Sequence, residues 1–202
     1  MRSRRHNLPT PDDTLLNHSS IVLEELVKKI NTNEGWINFA DFMQFILYKP
    51  GLGYYSSGTT KLGVGGDFTT APEISDLFGA CLADYMIKIF HSYPKLMILE
   101  IGAGSGQLAF DILTQLDKQG FMPDQYYILE ISADLKEKQQ RLLAKLPKNL
   151  LKKVTWLDAL PENFITGVII GNEVLDAMPC RRFSIQDENI YEIGISCNKQ
   201  RL

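Results

Sequence analysis

Short, mostly apolar runs alternate with longer amphipathic stretches in the second half of the chain. The runs are Leu96–Ile101, Tyr126–Ile131, Val154–Leu157 and Val168–Ile170. Runs of this length are typical of buried strands, and the amphipathic stretches after the first two runs favour helices. The pattern therefore predicts a right-handed βαβ series, which makes the expected fold class α/β with a Rossmann-like parallel sheet.

The first half of the chain predicts an N-terminal helical extension. Apolar residues from Ile21 to Ile30 recur at helical spacing, and Asn38 is placed to cap a second helix. Thr70 and Glu73 have capping-box spacing, and an apolar stripe predicts a long helix that reaches Ile89. The glycine-rich stretch before Thr70 predicts a functional loop.

Three ranges describe the expected domain organisation. Residues 1–18 are polar and predict a flexible arm, with order beginning near Ser19. Residues 19–94 form the helical and glycine-rich region, and residues 95–202 form the cofactor-binding core. Within that core, Arg182–Gln186 and Ile190–Ser196 predict a hairpin that leaves the parallel sheet.

Composition narrows the classes of function. With 202 residues, 45% hydrophobic content and a net charge of −3, the chain resembles an ordinary globular protein and has no electrostatic footprint for nucleic acid. No apolar run reaches the ~18 residues of a membrane span, so a cytoplasmic location is expected. The three cysteines and three histidines lack metal-ligand spacing, and no metal site is predicted.

The sequence LEIGAGSG at positions 99–106 carries the strongest chemical signal. Its acid and glycines, Glu100, Gly102, Gly104 and Gly106, follow the first predicted strand, whereas the dinucleotide fingerprint would need glycine where Gln107 stands. A carboxylate here would repel a pyrophosphate and would suit the ammonium of an amino-acid moiety. S-adenosylmethionine (SAM) carries such a group, so the spacing favours SAM as the cofactor.

Two further acids follow the next two predicted strands. Glu130 ends the second strand, where an acidic residue can accept hydrogen bonds from ribose hydroxyls. Asp158 follows the third strand and could accept a bond from the adenine amino group. Taken singly, each acid is more often a helix cap or a solvated charge, but ligands of open α/β sheets bind at this edge.

Three stretches together resemble the MidA-like family of class I SAM-dependent methyltransferases. They are GDFTTAPEIS at 66–75, the glycine turn, and GNEVLDAMP at 171–179. The resemblance implies that the glycine turn and Glu130 hold the cofactor while the other two stretches border the reaction site. A sheet of this class has seven strands, so the four core strands correspond to the N-terminal, C-terminally incomplete part of a family member.

The resemblance also implies a substrate. A mitochondrial family member is an assembly factor for respiratory complex I that dimethylates an arginine of a complex I subunit. The resemblance therefore implies protein arginine methylation, with a complex I subunit as the candidate acceptor. It also implies the mitochondrial matrix as the location in a eukaryote. Oligomeric state is not predicted.

Glu173 and Asp176 are the candidate catalytic residues. They follow the fourth predicted strand at a spacing that can place both carboxylates on one side of a turn, where they could hold an arginine guanidinium. Their alternative roles are an exposed charge and a local cap. Two other functions stay open: a non-catalytic cofactor-binding or assembly protein, and an NAD-dependent oxidoreductase, which Gln107 and Glu100 disfavour.

Overall fold

The computed structural model describes residues 11–57, 69–93, 95–162 and 166–197. Contacts group the chain into two compact units. The terminal unit comprises Met1–Tyr54 and Pro179–Leu202, and the sheet unit comprises Tyr55–Met178. This division differs from the ranges 1–18, 19–94 and 95–202 expected from the sequence, because the C-terminal hairpin pairs with a strand near the N-terminus.

Within the described residues the chain forms seven α-helices and seven strands. The helices are α1 (Asp13–Thr32), α2 (Phe39–Tyr48), α3 (Ala71–Ile74), α4 (Leu77–Ser92), α5 (Gln107–Lys118), α6 (Ala133–Leu143) and α7 (Lys148–Leu151). The strands are β1 (Trp36–Asn38), β2 (Met97–Ile101), β3 (Gln125–Leu129), β4 (Val154–Leu157), β5 (Gly167–Gly171), β6 (Arg182–Gln186) and β7 (Asn189–Ser196). Short 3-10 turns occupy Tyr54–Ser56 and Leu175–Ala177.

The sheet unit contains the predicted parallel sheet, with strand order β4-β3-β2-β5. All three strand pairs are parallel, and the α/β prediction is confirmed. The chain builds outward from β2 to β3 and β4, and then β5 pairs with the opposite side of β2. The strand order therefore reverses beside β2, which is the position where open α/β sheets bind ligands at the carboxyl ends of their strands.

Helices α4 and α5 contribute to the apolar core of the sheet unit. The most deeply buried side chains in this core include Ile98 of β2, Tyr126 and Ile128 of β3, and Ile112 and Leu116 of α5, each with 0% exposure. Burial on this scale stabilises each large side chain by about 1.5–3 kcal/mol relative to exposure. The packed core fixes the ends of β2 and β3, where the candidate acids lie.

The long helix expected after Thr70 is interrupted. Thr70 makes no side-chain cap bond, and Ser75 is extended, so α3 and α4 are separate helices. The apolar stripe of the predicted helix includes Ile74, Leu77 and Tyr85, which are 73%, 68% and 64% exposed. The buried residues of α4 are instead Gly79, Ala83, Met86, Ile87 and Phe90.

In the terminal unit, helix α1 begins six residues before the expected start at Ser19. The Asp12 carboxylate accepts a hydrogen bond from the Leu15 amide at 2.8 Å and caps the helix at Asp13. Residues 1–10 of the predicted arm lie outside the described residues. Asn38 caps α2 as predicted, because its side-chain oxygen accepts from the Asp41 amide.

The terminal unit has its own small sheet, with order β1-β7-β6. Both pairs are antiparallel, and the predicted β6–β7 hairpin is confirmed. Its turn residues Asp187 and Glu188 have φ values of +47° and +64°, as the common two-residue hairpin turn requires. Among the described helices of the chain, none is both long and apolar enough to cross a membrane.

Candidate functional site

The candidate site is built around the turn that joins β2 to α5. Gly102, Gly104 and Gly106 have φ values of +66°, +56° and +88°, in the left-handed region that glycine adopts without steric cost. The Gly102 amide donates to the Leu129 carbonyl oxygen at 3.0 Å, which ties the turn to the end of β3. The predicted strand–glycine–helix arrangement is confirmed in position.

Neighbouring side chains also account for two of these glycines. A Cβ atom on Gly102 would lie 2.8 Å from Cγ1 of Val174, and one on Gly106 would lie 3.2 Å from Cα of Gln139. The protein's own packing therefore adds to the backbone conformation as a reason for glycine at both positions. Their contact with a cofactor stays a prediction.

Glu100 is enclosed in the sheet unit, although the sequence placed it at the mouth of the turn. The side chain is 2% exposed, and its Oε2 accepts a hydrogen bond from the Tyr126 hydroxyl at 2.7 Å. Burial raises the pKa of Glu100 to about 7. The Tyr126 hydrogen bond opposes that shift, and repulsion from Glu130 adds to it. The hydrogen bond links the side chains of neighbouring strands β2 and β3 shortly before the turn.

Glu130 lies just after β3 and is 6% exposed. Its Oε1 accepts from the Ser132 amide and its Oε2 from Nε2 of Gln139, both at 2.9 Å. Burial raises the pKa of the Glu130 carboxyl, and these two hydrogen bonds together with one from the Ile131 backbone oppose the shift. The carboxylate is thus held in one orientation beside the glycine turn, and a carboxylate's capacity of about four hydrogen bonds leaves room for one from a ligand hydroxyl.

Gln139 is a site residue that the sequence reasoning missed. It is fully buried on α6, and its side chain contacts both Glu130 and the glycine turn. A signal was present in the sequence: Leu135, Gln139 and Leu143 recur at four-residue spacing and are the buried residues of α6. A polar residue on an otherwise apolar helical stripe needs buried hydrogen-bond partners.

Asp158 follows β4 as predicted and is largely solvent-exposed. Its carboxylate forms an ion pair with Nζ of Lys136 at 2.9 Å, and the Asp158 side chain is 88% exposed. Exposed pairs of this kind contribute about 0–1 kcal/mol, so the pair can open at little cost. Its neighbour Trp156 is better fixed, since Nε1 of the indole donates to Oε1 of Gln139 at 3.0 Å.

Two segments that precede the sheet attach to the candidate site. The Ser105 hydroxyl donates to Glu73, which joins α3 to the glycine turn. The Ser132 hydroxyl donates to the Tyr55 carbonyl oxygen at 2.6 Å, which joins the segment at Tyr55 to the turn before α6. The TTAPEIS part of the 66–75 stretch thus borders the site, while residues 66–68 lie outside the described residues.

Glu173 and Asp176 follow β5, as predicted, and both are exposed. Glu173 has a φ of +51°, a left-handed conformation that is uncommon outside glycine and is often found at functional sites. Asp176 lies in the 3-10 turn after β5. Burial raises the pKa of the Tyr55 phenol, and the charges of Asp176 and Glu130 raise it further, so Tyr55 is within electrostatic reach of both acids.

Comparison with known proteins agrees with the fold that carries this turn. A crystal structure of a Burkholderia thailandensis protein bound to S-adenosyl-homocysteine matches with a TM-score of 0.82 and 40% sequence identity, over 96% of this chain and 51% of that chain. The Xenopus tropicalis "Protein arginine methyltransferase NDUFAF7, mitochondrial" is 30% identical over 96% of this chain and 49% of its own length. The corresponding Caenorhabditis elegans homolog is 28% identical over 86% and 46%, respectively.

The chain spans about half the length of the curated relatives it matches. The family described as "Putative S-adenosyl-L-methionine-dependent methyltransferase" matches residues 81–202, which include β2 to β7, the glycine turn and all the candidate acids. Together with the parallel sheet and the turn at its switch point, this match shows that the chain belongs to that family of SAM-dependent methyltransferases.

Proposed function

We propose that the sheet unit binds SAM at the β2–α5 turn and that the protein transfers the methyl group of SAM to an arginine of a protein substrate. The observation that carries the proposal is the Glu130 carboxylate, held beside the glycine turn by hydrogen bonds from Ser132 and Gln139. The relative from Burkholderia thailandensis, bound to S-adenosyl-homocysteine, supports the same ligand class.

The residues of the sheet unit fit the chemical groups of SAM. Glu130 would accept hydrogen bonds from the ribose hydroxyls, and the backbone at Gly102, Gly104 and Gly106 would border the aminoacyl group. Above its pKa of about 7, the buried Glu100 carboxylate would favour the positive ammonium through its charge. Asp158 would accept from the adenine amino group after the weak ion pair with Lys136 opens.

SAM supplies a methyl group on a positive sulfur, which a nucleophile attacks in line. A bond forms between the acceptor nitrogen and the methyl carbon while the carbon–sulfur bond breaks, leaving S-adenosyl-homocysteine. The acceptor nitrogen then loses a proton. The protein must therefore align the acceptor, exclude water and receive that proton.

Glu173 and Asp176 suit an arginine acceptor. A guanidinium has a pKa above ~12 and presents a planar fork of donors that carboxylates bind well. The two acids lie at the carboxyl end of β5, on the side of β2 opposite to β3. That placement puts them on the switch-point side of the glycine turn, and they would hold the guanidinium and take up its proton.

We expect the acceptor to be a mitochondrial protein if the source is eukaryotic. The Xenopus tropicalis relative is named as a mitochondrial protein arginine methyltransferase, and the MidA-like resemblance points to a subunit of respiratory complex I. For a eukaryotic source, the mitochondrial matrix would then be the site of action.

A methyl-transfer assay tests the proposed activity. The protein is incubated with methyl-labelled SAM and with complex I subunits from cells that lack this protein. The amino acid that carries the label is then identified. We expect label in methylated arginine. Label in lysine alone would contradict the arginine assignment. Absence of label from a protein that binds S-adenosyl-homocysteine would instead favour a non-catalytic cofactor-binding role.

A further inference from the structure

Gln139 links the carboxyl ends of three strands through one side chain. Its Nε2 donates to the Gly104 carbonyl oxygen at 3.0 Å and to Oε2 of Glu130 at 2.9 Å. Its Oε1 accepts from Nε1 of Trp156 at 3.0 Å. The glycine turn, the acid after β3 and the indole of β4 therefore share one fully buried amide.

The chemistry of these partners fixes the orientation of the amide. The Gly104 carbonyl and the Glu130 carboxylate can only accept hydrogen bonds, whereas the indole N–H of Trp156 can only donate. A rotation of the amide by 180° would place its oxygen against the carboxylate and its NH₂ group against the indole. Only the observed orientation satisfies all three partners. The amide nitrogen serves the two acceptors, and the amide oxygen serves the indole.

Backbone packing reinforces this position. Helix α6 meets the glycine turn at Gln139, where a Cβ atom on Gly106 would lie 3.2 Å from Cα and 3.2 Å from Cγ of Gln139. Gly106 and Gln139 are thus adapted to each other, and the side chain cannot move far without disturbing the turn. Because Gln139 is fully buried, it acts on a ligand through Glu130 and the turn.

We propose that Gln139 is the positioning residue of the cofactor site, which orients the Glu130 carboxylate toward the ribose hydroxyls and locks the glycine turn against β3 and β4. This inference rests on the proposed binding of SAM by Glu130. Besides geometry, the Gln139 hydrogen bond opposes the burial that raises the pKa of Glu130. Loss of the bond should therefore move the pH at which the carboxylate protonates upward.

Two other titratable groups of the described residues interact with Glu130. Its charge raises the pKa of the Glu100 carboxyl and of the Tyr55 phenol. Both residues are present in the wild type and in every Gln139 variant, so a comparison at the same pH measures the change at residue 139.

Calorimetric titration with S-adenosyl-homocysteine between about pH 5 and pH 8 tests the inference. We expect Gln139→Met to weaken binding at least about tenfold and to shift the acid midpoint of binding to higher pH, because a hydrogen bond to a charged group is lost. Gln140→Met is the matched control, since Gln140 is the next residue of α6 and is exposed. It should bind like the wild type at every pH.

A purely structural role for Gln139 would lower the stability of the fold but leave the midpoint and the affinity per folded molecule unchanged, and that result would overturn the inference. Should Gln139→Met not fold, Gln139→Glu carries the test. This variant keeps an oxygen that accepts from Trp156. Its affinity for S-adenosyl-homocysteine should be more than about tenfold weaker than that of the wild type near pH 8. The difference should narrow as the pH falls, because the introduced carboxyl then gains a proton that it can donate to Glu130. A deficit independent of pH would overturn the inference.

The wild type separates this inference from the proposed function. If the wild-type chain does not bind S-adenosyl-homocysteine, the proposed cofactor site is wrong. If the wild type binds and Glu130→Ala weakens binding while Gln139→Met does not, the cofactor site stands and the positioning role of Gln139 is wrong.

Discussion

The Tyr126 hydroxyl donates a hydrogen bond of 2.7 Å to the Glu100 carboxylate, and both side chains are buried in the parallel sheet. The hydrogen bond joins adjacent strands β2 and β3, and Glu100 lies two residues before Gly102 of the glycine turn. Burial raises the pKa of Glu100 from 4.5 to about 7, so the fold binds this proton more tightly than the unfolded chain does. Wild-type stability attributable to Glu100 is therefore highest below about pH 4.5 and falls as the pH rises through about 7.

Glu100→Gln should remove this pH dependence. The amide keeps a carbonyl oxygen for Tyr126 and carries no charge, so the variant should gain about 3 kcal/mol of unfolding free energy relative to wild type between about pH 4 and pH 8. Urea denaturation at several pH values measures the difference. Glu137→Gln is the control, because that side chain is 67% exposed. If Glu100→Gln and Glu137→Gln changed the unfolding free energy equally at every pH, the raised pKa assigned to Glu100 would be wrong.

Gly106→Ala should destabilise the fold more than Gly120→Ala. Both glycines have positive φ, which costs a non-glycine residue about 1–2 kcal/mol. A Cβ atom on Gly120 meets nothing within 4 Å, whereas one on Gly106 meets Gln139 at 3.2 Å. Thermal unfolding gives the comparison, and only Gly106→Ala should also weaken S-adenosyl-homocysteine binding. Equal stability losses with unchanged binding would show that the contact with Gln139 is unimportant.

Glu130→Ala should weaken S-adenosyl-homocysteine binding by about 1.5–3 kcal/mol, the usual contribution of hydrogen bonds to a charged group. Asp158→Asn should cost less than about 1 kcal/mol, because the Asp158 carboxylate is exposed and already paired with Lys136. Titration of the two variants beside the wild type ranks the acids. A larger loss for Asp158→Asn would show that the principal ligand contact lies after β4 and not after β3.

Glu173→Gln and Asp176→Asn should leave S-adenosyl-homocysteine affinity nearly unchanged and depress methyl transfer to arginine by about a hundredfold or more. These isosteric amides keep the shape of the loop after β5 and remove the charges that would hold a guanidinium. Binding and transfer are measured on the same preparations. Full transfer by both variants would remove these acids from the mechanism.

The parallel sheet could be predicted because its strands are local apolar runs. All four runs match β2 to β5 within two residues at either end. The position of Glu130 followed from the end of β3 alone. The burial of Glu100 was harder to foresee, since it depends on Tyr126 from the neighbouring strand, 26 residues away in sequence.

The features that the sequence did not reveal depend on distant partners. Glu73 has capping-box spacing with Thr70, but its carboxylate accepts from Ser105, 32 residues later. The division into two units arises because β1 pairs with β7 near the other end of the chain. Gln139 has hydrogen-bond partners on three different segments. Its own helix indicates only that a polar residue lies between Leu135 and Leu143 on the buried face.

The binding of SAM at the β2–α5 turn is the central claim, and calorimetric titration of the purified chain with SAM, S-adenosyl-homocysteine and NAD tests it most directly. We expect saturable binding of SAM and S-adenosyl-homocysteine and none of NAD, because the acidic Glu100 precedes a turn in which Gln107 stands where a dinucleotide site has its third glycine. Binding of NAD with no heat from either SAM or S-adenosyl-homocysteine would contradict the account.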